Sequence, residues 1–242
     1  MSSDPVVFLP GMMCDARLFA PQMADLSRDR AVTVAPITGG ARIEAIGAAL
    51  LDVLPARFAL AGLSMGGIVA MELLRCAPGR ITRLALMDTN PLAETPHSAA
   101  GYEPLIAKLR AGLVPEAVEM ILGAGVLAPG PGRAGVLALA TQMAQGLGAE
   151  AIIAQVRALQ RRPDYQAELR RCKVPALVLC GAQDGLTPPR RHEFMAGLLP
   201  DARFVLVEGA GHLPTLEQPE AVTAALRDWL AQPFVLRGRV EG

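Results

Sequence analysis

The feature that most constrains this chain is an exchange between two hydrophobic periods along its length. Compact apolar runs at Val6–Leu9, Ala31–Ala35, Phe58–Leu63, Thr82–Met87, Ala176–Cys180 and Phe204–Val207 alternate with stretches of helical spacing. Short continuous apolar runs bounded by Gly or Pro are the signature of strands buried on both faces. Strands that alternate with helices imply a parallel sheet covered by helices. The right-handed crossover rule makes a single doubly wound sheet the simplest topology.

The helical stretches have recognisable starts and stops. Asp15 is a candidate N-cap before Leu18, Phe19, Met23 and Leu26. Ile43, Ile46, Leu50 and Leu51 mark a second helix, and Met65–Cys76 reads as a third, stopped by Pro78-Gly79. Later helices are expected over Arg190–Leu199 and Glu217–Leu230. Between the fourth and fifth strands the alternation breaks. Pro91–Arg171 is rich in Ala, Leu and Gly and is cut by Pro104, Pro115, Pro129, Pro131 and Pro163, a pattern of several short helices. The expected organisation is an α/β core over 1–90 and 172–242 with a helical insertion over 91–171. The tail Pro233–Gly242 carries no strong structural signal.

Composition excludes several function classes. The 242 residues suffice for one α/β domain and an insertion. A hydrophobic fraction of 52% and a charged fraction of 19% belong to a compact chain, not a disordered one. Lys+Arg and Asp+Glu balance at 23 each, so charge gives no reason to expect nucleic acid or an anionic membrane as partner. The pairs Arg161-Arg162 and Arg190-Arg191 are expected on solvated helix ends. The N-terminus lacks a basic signal-peptide region, and no stretch approaches the ~18 apolar residues of a membrane span. Cys14, Cys76, Cys172 and Cys180 have neither metal-type nor C-x-x-C spacing. A cytoplasmic protein with reduced thiols, acting on a small-molecule substrate, is the expectation.

One motif carries chemistry. Gly62-Leu63-Ser64-Met65-Gly66-Gly67 lies between the strand run Phe58–Leu63 and the helix from Met65. In that context G-x-S-x-G is a nucleophile elbow: the serine sits on a tight strand-to-helix turn with its hydroxyl above the sheet. Gly62 and Gly66 are needed because a Cβ at either place would clash. The helix N-terminus aims amides at the spot where an oxyanion would form.

A serine hydroxyl needs a base, and the base needs a third group to fix its tautomer. His97 and His192 are expected to be surface residues. His212, in Gly209-Ala210-Gly211-His212-Leu213-Pro214, lies just past the strand run Phe204–Val207, where open α/β sheets place their sites. Two acids qualify. Asp184 follows Ala176–Cys180, and Asp88 follows Thr82–Met87 in the same way.

Phe8-Leu9-Pro10-Gly11, the 62–67 elbow, Leu179-Cys-Gly-Ala-Gln-Asp184 and Gly209-Ala-Gly-His-Leu-Pro-Thr-Leu-Glu-Gln-Pro219 occur in the order seen in α/β-hydrolase-fold enzymes, which the chain resembles over essentially its whole length. The resemblance implies Ser64 as nucleophile, His212 as base and Asp184 as acid, with Asp88 as the alternative acid. Family members usually carry His-Gly after the strand occupied here by Val6–Leu9, whereas this chain has Pro10-Gly11-Met12. An oxyanion contact is a backbone N–H, so the Met12 and Met65 amides remain the candidates. With five residues before Val6, the two N-terminal strands of the family sheet are expected to be missing, leaving six parallel strands. The insertion would resemble the family's helical cap, with an apolar roof. Arg162 is a candidate for meeting an anionic substrate, against the plainer expectation of an exposed helix-terminal arginine.

Gly123-Ala-Gly-Val-Leu-Ala128 matches G-x-G-x-x-A but follows no strand, so it lacks the dinucleotide context. Without a P-loop, H-E-x-x-H or zinc-type cysteines, no cofactor or metal is expected. Met13 and Cys14 are expected to line the oxyanion region as apolar groups. The expected activity is hydrolysis of a carboxylic ester through an acyl-enzyme. In relatives, the scaffold also cleaves lactones, thioesters and carbon–carbon bonds, or eliminates small acids. A binding protein with little turnover is the alternative from another class.

Overall fold

The computed structural model describes residues 4–233; most of the Pro233–Gly242 tail lies outside them. Six strands form one sheet: β1 (Val6–Leu9), β2 (Val32–Val34), β3 (Phe58–Leu63), β4 (Ile81–Met87), β5 (Ala176–Gly181) and β6 (Ala202–Val207). Their order is β2-β1-β3-β4-β5-β6, and every pairing is parallel. The six expected strands are present, with bounds moved by up to two residues at β2, β4, β5 and β6.

The connections are mostly helical. A 3-10 turn over Ala16–Phe19 and α1 (Ala20–Leu26) follow β1, α2 (Ile43–Val53) follows β2, and α3 (Met65–Cys76) follows β3. Asp15 caps the 3-10 turn, accepting a hydrogen bond from the Arg17 amide. Between β4 and β5 the chain forms α4 (Pro96–Ala100), α5 (Glu103–Arg110), α6 (Val114–Leu122), α7 (Arg133–Leu147), α8 (Ala149–Gln160) and α9 (Gln166–Arg170). Three of these six, α4, α5 and α6, carry proline in their first turn, as the proline punctuation predicts. After β5 comes α10 (Pro189–Leu198), and after β6 come α11 (Pro214–Glu217) and α12 (Pro219–Ala231). The expected single helix over Glu217–Leu230 is therefore two helices, broken where Pro219 starts a new one.

Alternation along the strands sorts side chains into two layers. Val6, Phe8, Ala61, Leu63 and Met87 point to the α1 and α12 side, against Phe19, Leu26, Leu226 and Trp229. Val7, Leu9, Leu60, Leu84 and Val178 point to the α2 and α3 side, against Ile46, Leu50, Val69 and Leu73. Burying each of the Val, Leu, Ile, Phe and Met side chains among them contributes ~1.5–3 kcal/mol. Insertion residues Leu105, Val118, Met143 and Val156 extend the first layer beyond the sheet, so the insertion shares its core with the strands. Among the described residues no single helix is long and apolar enough to cross a membrane. Only α7 and α8 taken together reach that length, and they are bent by 100°.

Candidate active site

Ser64 sits at the junction of β3 and α3 with φ 55° and ψ −119°, a strained conformation for a residue with a Cβ. The surroundings impose it. The Ser64 amide donates to the Met87 carbonyl at 2.9 Å, while its own carbonyl accepts from the Gly67 amide at 2.9 Å and the Thr89 hydroxyl at 2.7 Å. The glycines answer to close backbone approach. A Cβ on Gly62 would run into the Gly66 carbonyl, and one on Gly66 would run into the Leu9 carbonyl.

The loops after β5 and β6 bring two partners to this serine. His212 Nε2 lies 2.9 Å from Ser64 Oγ, and His212 Nδ1 lies 2.9 Å from Asp184 Oδ2. Because a carboxylate only accepts, Nδ1 carries the proton and Nε2 turns its lone pair to the serine hydroxyl. Asp184 also accepts from the amides of Leu186 (2.8 Å) and Thr187 (2.9 Å) and from the Thr187 hydroxyl (2.5 Å). Burial works to raise its carboxyl, but the charge and hydrogen bond of His212 and the Thr187 bonds prevail and hold it down at about 2. A serine, a base with a fixed tautomer and an ionised acid can together activate a hydroxyl for nucleophilic attack.

Asp88, the rival acid, is fully buried on the loop after β4, with φ 44°. Its Oδ1 accepts from the Gly181 amide at 2.9 Å, and its Oδ2 has no hydrogen-bond partner among the described residues. Burial first and the negative charge of Asp184 second push this carboxyl well above the usual carboxylate range, which favours its neutral form. Asp88, Cys180 and Asp184 also bring ligand-type atoms within 4.8 Å of one another. Burial raises the Cys180 thiol and Asp184 is committed to His212, which leaves poor donors for a cation.

Met12 and Met65 both border the cavity beside Ser64. Among the described residues, no protein acceptor takes either amide. Met13, at φ 65°, donates its amide to the side chain of Gln155 on α8 at 3.1 Å, so the insertion braces the loop that carries Met12. Cys14 is buried and borders the cavity, and burial pushes its thiol up to about 12, in keeping with an apolar lining.

The cavity holds about 440 Å³. Its apolar wall includes Ile68, Ile121, Leu122 and Leu159, the last three from the insertion. Arg162 also borders it, but neither as an exposed helix end nor as a free cation. It pairs with Glu94 at 3.1 Å, donates to the Leu92 carbonyl at 3.0 Å, and its side chain is only 11% exposed. His97 is exposed, as expected. His192 is not. It is fully buried on α10, where its Nε2 accepts from the Thr89 amide at 2.9 Å. Burial lowers its pKa to about 4, so it stays a neutral support for the residue that holds the Ser64 carbonyl. Thr89 and Gln155 gave no signal in the sequence, because each works through a partner distant along the chain; Thr187, three residues after Asp184, could have been found as a local partner of that acid.

A doubly wound parallel sheet with an elbow serine at its centre defines a class of hydrolases, and sequence comparison agrees. The chain belongs to the alpha/beta hydrolase family, whose profile matches residues 6–225. It is 31% identical over 200 residues to a pimeloyl-[acyl-carrier protein] methyl ester esterase of Aromatoleum aromaticum, covering 78% of this chain and 80% of that one. A thermophilic esterase from Thermogutta terrifontis superposes with a TM-score of 0.82 at 30% identity, over 95% of this chain and 90% of that chain. The enol-lactonase of Burkholderia xenovorans LB400 gives 0.83 at 26% identity, over 96% and 93%.

Proposed function

We propose that the protein hydrolyses a carboxylic ester of a small, partly apolar molecule by way of an acyl-enzyme on Ser64. The observation that carries this reading is the relay of two 2.9 Å contacts from Ser64 through His212 to Asp184, opening on a mostly apolar cavity. His212 takes the Ser64 proton as the hydroxyl attacks the carbonyl carbon. The amides of Met12 and Met65 receive the oxyanion, and the α3 N-terminus adds its positive end. His212 then gives the proton to the departing alcohol. In the second half it deprotonates a water, which releases the acid and restores Ser64. Residues 91–171 serve as the cap, with Ile121, Leu122 and Leu159 as an apolar roof. The free cysteines, three of them buried, fit a reducing cytoplasmic setting.

The likeness to an enol-lactonase favours one second reading, a cyclic ester opened by the same steps. The test is labelling by a fluorophosphonate followed by turnover of p-nitrophenyl esters and lactones in parallel. Wild type should label at Ser64, and Ser64→Ala should lose both labelling and about three or more orders of magnitude in kcat. Folded wild type that does not label overturns the serine-hydrolase reading; faster turnover of lactones than of open esters moves the substrate to the second reading.

A further inference from the structure

His212 lies on the loop between β6 and α11, and an unexpected group grips that loop. The Glu217 carboxylate accepts from the Gly211 amide through Oε2 (2.9 Å) and from the Leu213 amide through Oε1 (2.9 Å), the residues on either side of the histidine. Oε2 also accepts from the Ala128 amide at 2.7 Å. Ala128 belongs to the Gly123–Ala128 segment after α6, whose glycines have a mechanical use. The His212 amide donates to the Val126 carbonyl at 2.9 Å. A Cβ on Gly211 would come within 2.7 Å of the Ala128 nitrogen, and one on Gly185, next to Asp184, would run into the Gly125 carbonyl. Gly125 itself turns at φ +80°. The segment is thus a strap wedged between the loop of the histidine and the loop of the acid.

We propose that Glu217 is a positioning residue for His212, binding the histidine loop and the strap of the insertion into one hydrogen-bonded unit. Three N–H groups from two parts of the fold converge on one half-buried carboxylate, which offers only acceptors. Each amide would otherwise have to find another acceptor next to the reacting residues, at a cost of ~1–3 kcal/mol if it stayed buried. The grip fixes the backbone on both sides of the imidazole, leaving its ring to be set by Asp184 and Ser64. The kinetic arm of this proposal rests on the serine-hydrolase reading; the spectroscopic arm does not.

The test compares Glu217→Gln and Glu217→Asp with Leu226→Ala, a buried α12 change chosen to lower stability without touching the loop. In Glu217→Gln one acceptor becomes an amide donor facing an N–H. With the enzyme count fixed by active-site titration, kcat should fall about 10- to 100-fold with little change in KM. The low-field proton resonance of the His212–Asp184 hydrogen bond should shift or broaden. Glu217→Asp keeps both oxygens and should recover part of each signal, which also serves if the glutamine variant folds poorly. Leu226→Ala should lower Tm while leaving kcat and the resonance in place. An unchanged kcat and resonance in both Glu217 variants overturns the proposal, leaving Glu217 a fold-stabilising residue. If wild type fails to label at Ser64, the hydrolase reading falls, and the resonance alone still decides the role of Glu217.

Discussion

The loops after β4 and β5 lie side by side at one end of the sheet, and each carries a buried aspartate, Asp88 and Asp184. Their chemistry is opposite. Asp184 receives four donors, from Leu186, Thr187 twice and His212, and stays ionised. Asp88 receives one, from Gly181, and burial and the charge of Asp184 push its carboxyl well above the usual range. Both are almost wholly buried, so burial does not choose between them. The number of hydrogen bonds to the charged form does, and once one acid is ionised its charge suppresses the other.

The sharpest break of this pairing is Asp184→Asn. An amide there presents a donor or an uncharged acceptor to His212 Nδ1 and loses the imidazolium's partner, so kcat should fall about 10⁴-fold. Near-normal turnover, with collapse in Asp88→Asn instead, would exchange the two roles. Thr187→Val removes one of the four donors and keeps the rest. We expect a loss of about 5- to 10-fold in kcat, measured on the same ester, in line with one hydrogen bond to a charged group.

The smallest effect falls on stability and is read by denaturant unfolding at several pH values. Asp184 has a folded pKa of about 2, below its unfolded ~3.9, so its contribution is full above pH ~4 and is lost as pH falls toward about 2. That contribution is ~2–3 kcal/mol. Asp88 has the reverse sign. Its folded pKa is raised, so its contribution is full below ~3.9 and is lost as pH rises. Asp88→Asn should therefore gain on wild type as pH rises above ~4, with kcat within about twofold. A stability difference that does not grow with pH would mean that Asp88 is ionised in the fold.

Much of the site was legible because its signals are local. Ser64 and His212 sit in glycine-rich turns directly after apolar runs, and the turn chemistry is written in the neighbours that must lack a Cβ. Asp88 and Asp184 follow their strands in the same way, so strand position alone does not separate them; the family resemblance favoured Asp184, and the donors gathered on it support that choice. What the sequence concealed depends on contacts distant along the chain. His192 sits beside Arg190 and Arg191 on a helix of mixed polarity, and nothing local tells which face it turns to Thr89 across 103 positions. Arg162 looked like a solvated helix end because Glu94, its partner, lies 68 positions earlier, in the proline-rich start of the insertion. The helix break at Pro219 hid Glu217, which otherwise passed for the first turn of a long closing helix.

The strap between Gly185 and Gly211 also bears on how such a chain could diversify. Segments between strands are natural units of exchange when a scaffold acquires a new substrate, since the strands beneath need not change. Here the unit is not freely separable. A recombinant that replaced the whole of 91–171 would carry away the carbonyl that receives the His212 amide and the N–H that meets Glu217. Successful exchanges in this lineage should therefore have their crossover points on either side of 123–128, keeping the strap with the sheet while the helices around it are traded.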